Sequence, residues 1–143
     1  MKYLLDTCVI SELIKTERND RVTEWIKNKD EGSFYISVLT IGEIHKGISK
    51  LPDSKRKKSL RTWVDRDLKK RFRGRILEIS EAIATFLGEI QAKSESVGKR
   101  MPVIDSLIAA TAIKHNLTVV TRNVKDIENS GCKLTNPWEP DNR

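Results

Sequence analysis

Short hydrophobic runs alternate with helical patterns along the whole chain. The runs predict strands at residues 2–5, 34–37, 76–79 and 117–121, with 133–134 as an edge strand. Strands separated by helices favour right-handed crossover connections, which place parallel strands beside one another under helices on both faces. We therefore expect an α/β fold with three layers, α/β/α, around a mostly parallel central sheet of four to five short strands.

Capping residues place the ends of the predicted helices. Asp6 or Thr7 is a suitable N-cap for the first helix, Ser80 is one for a later helix, and Gly98 lies where the C′ residue of that later helix belongs. Pro102 opens the last helix. The predicted helices cover about residues 9–15, a stripe at 22–26, 38–51, a basic stretch within 53–75, 81–97 and 102–115.

Length and composition limit the class of protein. With 143 residues, 38% of them hydrophobic and 33% charged, the chain can form one ordinary core, so we predict a single domain over residues 1–143. No window approaches a transmembrane length and the apolar start is too short for a signal peptide, so we expect a cytoplasmic protein with no membrane partner. Cys8 and Cys132 have no spacing typical of zinc sites or disulfide frameworks.

The excess positive charge is concentrated in one stretch. The chain has 27 Lys or Arg and 20 Asp or Glu; residues 53–75 contain 11 of the former and 3 of the latter, which leaves 16 and 17 elsewhere. In this stretch Leu60, Trp63, Val64 and Leu68 recur three and four apart, which predicts an amphipathic helix with a basic polar face. Such a face favours a polyanion, because neutralising phosphates releases counterions, although a merely solvated helix face is an equal alternative.

Polar residues follow three of the predicted strands. Asp6 follows the first strand, Ser37 ends the second, and Thr121, Arg122 and Asn123 follow the fourth. In open parallel sheets ligands bind outside the carboxyl ends of the strands. These residues are therefore candidates for a functional site.

Three further acids are expected at the same edge in the simplest topology: Glu43, Asp105 and Asp126. Clustered carboxylates repel one another unless a cation lies between them, and a set of oxygen ligands without Cys or His suits Mg²⁺ or Mn²⁺. We therefore expect Asp6 and these three acids to form a metal-dependent site. Each acid alone has an ordinary alternative as a helix cap or a solvated side chain, and their joint occurrence favours the site.

Four ordered blocks carry a resemblance that spans nearly the whole chain. They read LLDTCVISE at 4–12, SVLTIGEI at 37–44 with GI at 47–48, DSLIAATA at 105–112, and TRNVKD at 121–126. In this order and spacing they resemble the PIN-domain ribonucleases, specifically the VapC-type toxins. Two positions depart from the family pattern: Cys8 stands where Asn is common, and Ile127 where Phe is common. Neither departure removes a proposed metal ligand.

The resemblance implies a metal-dependent endoribonuclease, the toxin component of a type II toxin-antitoxin system, usually a homodimer inhibited by a VapB-type antitoxin. By matching positions it implies a catalytic and metal-binding quartet with Mg²⁺ or Mn²⁺ as cofactor and an RNA substrate such as tRNA or rRNA. The quartet is Asp6, Glu43, Asp105 and Asp126, supported by Thr7, Ser37 and Asn123. We also expect the RNA backbone to contact Lys55, Arg56, Lys57, Lys58 and Arg122.

Three rival functions make different demands on the sequence. A receiver domain needs an adjacent acidic pair near the first strand, but Thr7 follows Asp6, and Arg122 stands where its late lysine belongs. A haloacid-dehalogenase-type phosphatase needs a second Asp two residues after the first, where the chain has Cys8. The third rival is a nucleic-acid-binding module whose acids only cap helices, with residues 53–75 as its working surface. It predicts RNA binding without metal-dependent cleavage.

Overall fold

The computed structural model describes residues 1–140 and forms one five-stranded sheet in which every pairing is parallel. The strands are β1 (Tyr3–Leu5), β2 (Phe34–Ser37), β3 (Ile76–Leu77), β4 (Thr118–Val120) and β5 (Lys133–Thr135). Their order is β3-β2-β1-β4-β5, so the chain moves outward from β1 first to one side and then to the other. The carboxyl ends of β1 and β4 therefore flank the topological switch point, where open α/β sheets bind ligands. The predicted domain of residues 1–143 extends past this range, because 141–143 lie outside the described residues.

Helices connect consecutive strands and cover both faces of the sheet. They are α1 (Thr7–Leu13), α2 (Asp20–Lys27), α3 (Val38–Ser49), α4 (Lys55–Thr62), α5 (Lys69–Arg71), α6 (Glu81–Ser96), α7 (Val103–His115) and α8 (Val124–Ile127). A π-helical turn, Trp63–Leu68, joins α4 to α5, and 3₁₀ turns lie at Glu31–Ser33 and Glu128–Ser130. Within residues 1–140 no helix is long and apolar enough to cross a membrane.

The two helical layers pack on opposite faces because side chains alternate along each strand. In β1, Tyr3 and Leu5 join the core formed with α1, α3 and the π turn, whereas Leu4 joins the core formed with α6 and α7. In β4, Val120 belongs to the first core and Val119 to the second. The predicted three-layer α/β/α fold with a parallel sheet is confirmed.

The predicted elements are present, with shifted ends that have identifiable causes. Strand β3 stops at Leu77 instead of 79, because its partner strand ends at Ser37, opposite Leu77. Strand β4 begins after Leu117, since the backbone N of that residue closes the end of α7 on Ala112 O at 2.8 Å. The first helix occupies 7–13 instead of 9–15, because Asp6 caps it directly. Ser80 caps α6 as predicted.

The basic stretch is helical throughout residues 55–71, which we call the basic rod. It contains a π turn, Trp63–Leu68, that the pattern did not predict. Its buried residues Val64, Leu68 and Phe72 are spaced four apart. In a regular α-helix residues four apart drift by about 40° around the axis at each step. A π turn has more residues per turn and so keeps all three residues on the core face.

A carboxylate site at the carboxyl edge of the sheet

Asp6 is the buried centre of the site. It directly follows β1, is 7% exposed, and caps α1 by accepting a hydrogen bond from the backbone N of Thr7 at 2.9 Å. Its other oxygen accepts a bond from the hydroxyl of Thr121, which follows β4, at 2.8 Å. Asp6 therefore serves as a helix cap and is also oriented across the switch point by the neighbouring strand. Asp6 is therefore a helix cap, as the alternative interpretation expects, but capping does not explain its hydrogen bond from Thr121.

Glu43 reaches the same edge from the second turn of α3. Ser37 starts this helix, because its hydroxyl accepts a hydrogen bond from the backbone N of Leu39 at 3.1 Å. The carboxylate of Glu43 accepts a bond from the hydroxyl of Thr7 at 2.7 Å. Thr7 thus links the start of α1 to the side chain of Glu43. Ser37 supports the site indirectly, by fixing the start of the helix that carries Glu43.

Asp105 lies in the first turn of α7, and the negative charges of the other three acids act on its carboxyl group. It is not a helix cap, because α7 begins after Pro102 without any side-chain cap. Burial, and after it the charges of Asp6, Asp126 and Glu43, raise the pKa of Asp105 from 3.8 to about 6. The structure therefore brings all four predicted acids into electrostatic contact.

Asp126 completes this group from the short helix α8. Its backbone N bonds to the carbonyl of Asn123 at 3.2 Å, and its side chain is exposed. The backbone N of Asn123 donates to the hydroxyl of Thr121 at 3.0 Å. Within residues 1–140 the side chain of Asn123 makes no hydrogen bond, so its predicted supporting contact stays a prediction.

The donor chemistry of the four acids fits a hard divalent cation. All four offer carboxylate oxygens, and within the described range none of them forms an ion pair with Lys, Arg or His. Asp6 caps α1, and Asp105 and Asp126 lie in the first turns of α7 and α8, so positive helix ends offset part of their repulsion. Within residues 1–140, no three of these or other potential ligands lie close enough together to form a preassembled metal site.

Cys8 lies at the edge of this site without the properties of a nucleophile. Its Sγ is 3.9 Å from Asp6 Oδ2 and accepts a hydrogen bond from the backbone N of Arg122 at 3.4 Å. Burial, with the nearby charge of Asp6, raises the pKa of the thiol above its ordinary value. The thiol therefore stays protonated at neutral pH, and Cys8 packs against the core as a half-buried side chain.

Thr121 is a candidate because of its position after the fourth strand, but the resemblance does not include it among the supporting residues Thr7, Ser37 and Asn123. Thr121 is fully buried, and its hydroxyl donates to Asp6 and accepts from the backbone N of Asn123. Its position opposite Asp6, at the ends of two strands that turned out to be neighbours, was the available signal.

One predicted RNA-binding residue has a different role in the structure. Lys57 is buried, and its Nζ donates to the carbonyls of Ser49 and Leu51 at 3.3 and 2.9 Å and to Asp53 at 3.4 Å. It thereby binds the free carbonyls at the end of α3 and the following turn. The prediction that Lys57 contacts RNA is corrected for this reason. The other predicted RNA-binding residues, Lys55, Arg56, Lys58 and Arg122, are exposed.

The parallel α/β sheet with acidic residues near its switch point places the protein among the open α/β folds that carry their site at the carboxyl ends of the strands. The family comparison is specific within that class. The model of the PIN domain matches residues 3–128, a region that contains all four acids. The chain belongs to the PIN domain family.

Relatives and a solved structure agree with this assignment over nearly the full length. Toxin FitB of Neisseria gonorrhoeae is 34% identical over 135 residues, which cover 94% of this chain and 97% of FitB. VapC ribonuclease Y4jK of Sinorhizobium fredii is 32% identical over 137 residues, which cover 96% of this chain and 98% of the relative. The structure of FitAB bound to an IR36 DNA fragment matches with a TM-score of 0.93 and 32% identity, covering 99% of both chains.

Proposed function

We propose that this protein is a metal-dependent endoribonuclease that hydrolyses RNA phosphodiester bonds as the toxin of a type II toxin-antitoxin system. The observation that carries the proposal is the grouping of four carboxylates without a cationic partner at the switch point of a PIN domain. One similar protein is named a VapC ribonuclease and another is named a toxin. Mg²⁺ or Mn²⁺ is the cofactor that the oxygen ligands favour.

The proposed chemistry assigns different tasks to the four acids. When bound, the metal would lower the pKa of a water molecule and neutralise charge on the phosphate. Asp6 and Asp105 would hold the metal directly, and Glu43 and Asp126 would complete the set directly or through water. Asp105 must lose its proton to act as a ligand, and its raised pKa keeps that proton exchangeable near neutral pH.

Two hydroxyl groups would keep the carboxylates oriented for this task. Thr121 occupies one oxygen of Asp6, and Thr7 occupies one oxygen of Glu43. Each hydroxyl donates to its acid, so the remaining oxygen lone pairs are directed elsewhere at fixed angles. Such outer contacts restrict the rotamers of ligands and so lower the cost of assembling a metal site.

The same comparisons support a protein partner. FitB is named a toxin, and the structure similar to this chain is a FitAB assembly bound to DNA. We infer that this chain is likewise inhibited by a second protein, a VapB-type antitoxin, and that it forms a homodimer. RNA such as tRNA or rRNA is the proposed substrate class.

Metal removal tests the proposed chemistry. Purified protein freed of antitoxin should cut bulk RNA in Mg²⁺ or Mn²⁺ and should not cut it in EDTA, because the four acids alone repel phosphate and provide no activated water. Cleavage is followed on denaturing gels, and the products are mapped by primer extension. Equal cleavage in EDTA would contradict the metal-dependent mechanism. RNA binding without cleavage, together with no metal binding by calorimetry, would favour the nucleic-acid-binding module instead.

The corrected role of Lys57 gives a matched pair of variants for the basic rod. Replacing Lys55, Arg56 and Lys58 together by Gln should weaken RNA binding and reduce the slope of log K against log salt by roughly 2, because three exposed phosphate-binding charges are lost. Lys57→Gln should leave RNA affinity unchanged but lower the melting temperature, since its Nζ bonds the end of α3. Fluorescence anisotropy with labelled RNA in EDTA measures the first effect, and calorimetry the second. Equal loss of affinity in both variants would contradict these assignments.

A further inference from the structure

Trp138 is held beside the site by the turn that follows β5. The backbone N of Thr121 bonds to Thr135 O at 3.0 Å, so strands β4 and β5 stay paired up to the carboxyl edge of the sheet. The next residues form a turn in which Trp138 N donates to Asn136 Oδ1 at 2.9 Å. The Trp138 ring packs against the core formed with α1 and α3.

A buried acid supports the same region from α1. Glu12 is 4% exposed and accepts hydrogen bonds from Asn19 N at 2.9 Å and Lys15 Nζ at 3.1 Å. The Asn19 bond, followed by the Lys15 contacts and a smaller contribution from Trp138, holds the pKa of Glu12 below its usual value. Glu12 is therefore held ionised near the turn that carries Trp138, and the ring itself is held by packing against the core formed with α1 and α3.

The guanidinium of Arg122 lies over this ring. Its Cζ is 5.6 Å from the centroid of the Trp138 ring, which is within cation-π range. The backbone N of Arg122 donates to Cys8 Sγ at 3.4 Å, so Arg122 is bonded to the first turn of α1, the helix that Asp6 caps. Within residues 1–140 its guanidinium has no hydrogen-bond or ion-pair partner.

Two other arginines show what a purely structural contact of this kind looks like in the same molecule. Arg71 and Arg75 lie over Phe72 at 5.6 and 5.3 Å. Both also bind Glu31, at 2.9 and 3.7 Å, and Arg75 further donates to backbone carbonyls. The guanidinium N–H groups of Arg71 and Arg75 therefore bond to other residues of the protein. Arg122 lies over an aromatic ring in the same way, but within residues 1–140 its guanidinium N–H groups make no such bond.

We propose that Arg122, held in place by Trp138, binds an RNA phosphate that flanks the scissile bond, and that Trp138 is a positioning residue. The inference rests on the proposed ribonuclease function and names a contact that such an enzyme needs, because four acids at one edge repel the backbone they cleave. A guanidinium binds phosphate through two parallel hydrogen bonds. A guanidinium already held on a ring loses less conformational freedom when it binds.

Steady-state cleavage of a single-stranded RNA oligonucleotide of known cut position tests the proposal. Arg122→Ala should raise KM about tenfold, leave kcat within about threefold, and reduce the salt slope of kcat/KM by about 1. Trp138→Leu should raise KM severalfold, whereas Trp138→Phe, which keeps an aromatic face, should restore most of the loss. Arg21→Ala, which removes one exposed charge from α2, is the matched control and should leave KM unchanged.

A double variant separates positioning from a structural role. If Trp138 acts through Arg122, then Arg122→Ala with Trp138→Leu should have the KM of Arg122→Ala alone. Fully additive increases in KM, or an unchanged KM in Arg122→Ala, would overturn the proposal. Melting curves in the assay buffer ensure that every variant is folded at the assay temperature. An unfolded Trp138→Leu would leave the decision to Trp138→Phe and the Arg122 variants.

The same assay distinguishes this inference from the function on which it rests. If the wild-type protein neither binds nor cuts RNA in Mg²⁺ or Mn²⁺, the proposed function fails and this contact fails with it. If the wild type cuts normally and Arg122→Ala cuts with the same KM, only the contact is refuted.

Discussion

Asp6→Asn is expected to lower RNA cleavage by on the order of a thousandfold while leaving the fold intact. The substitution removes the negative charge that would bind the metal, which costs several kcal/mol of transition-state stabilisation. The fold should tolerate it, because Asn is as good an N-cap as Asp: its oxygen can still accept from Thr7 N, and its amide NH2 can donate to the Thr121 hydroxyl. Single-turnover cleavage in Mn²⁺, with circular dichroism of both proteins, measures the two effects.

Two further variants make the Asp6 result specific. Asp20→Asn removes an equal charge from the exposed first residue of α2 and should cut RNA at the wild-type rate. Thr121→Val keeps the Asp6 carboxylate but deletes its buried donor, so a loss of about tenfold is expected from misorientation. Wild-type activity in Asp6→Asn would show that the carboxylate is not part of the catalytic site. Equal losses in all three variants would indicate a general effect of charge or folding.

The fold was largely predictable because its signals are local and repeated. Each strand is a short apolar run next to a helix with a recognisable start, and the start of α6 at Ser80 was predicted and then found. Strand ends depend on partners that the sequence does not name. Strand β3 is short because β2 turns into α3 at Ser37, and this depends on a pairing between distant segments.

The π turn shows a second limit of prediction from the sequence. The apolar spacing of the basic stretch matches an ordinary amphipathic helix over two turns. The need for Val64, Leu68 and Phe72 to share one face appears only when the sheet beneath them is present. Local propensity therefore predicts the helix, and tertiary packing decides its internal geometry.

Site residues whose proposed role depends on their own charge could be predicted from the sequence. Residues whose role depends on contacts made in the folded protein could not. The four acids were proposed from their positions after strands and in recognised blocks, and the structure places them in one electrostatic field. Lys57 was grouped with its exposed neighbours because a sequence cannot show that its amine points back to Ser49 and Leu51. The bond from Thr121 to Asp6 and the contact of Trp138 with Arg122 could not be predicted for the same reason, because each depends on the pairing of neighbouring strands in the folded sheet.

Asp105→Asn is expected to abolish cleavage and at the same time to stabilise the metal-free protein at neutral pH. In the folded chain the pKa of Asp105 is about 6 against 3.8 for the ordinary group, mainly because of burial and then because of the other three acids. Ionising it at pH 7.5 would cost ~3 kcal/mol if the full difference applied. Because the side chain is partly exposed, solvent screening reduces this to ~1 kcal/mol. The variant should therefore melt roughly 2–4 °C higher in EDTA.

The dependence of the melting temperature on pH separately tests whether ionised Asp105 destabilises the folded protein. A folded pKa above the unfolded one contributes stability that is complete below pH 3.8 and is lost as pH rises through about 6. The wild-type melting temperature in EDTA should therefore fall relative to that of Asp105→Asn as pH rises from 4 to 7, and Asp67→Asn, exposed on the basic rod, should not reproduce the difference. A variant less stable than wild type at pH 7.5 would contradict the repulsion.

Adding Mn²⁺ should reverse the order of the two proteins. A cation bound among the acids stabilises the folded state by mass action and needs Asp105 in its ionised form. The wild type should therefore gain more in melting temperature from Mn²⁺ at pH 7.5 than at pH 5.5, while Asp105→Asn should gain little at either pH. Equal gains in both proteins would mean that the cation binds elsewhere. Burial and the neighbouring negative charges both oppose the ionised form of Asp105, and a bound cation would offset both, so the stability lost at Asp105 and the metal affinity proposed there have a common origin.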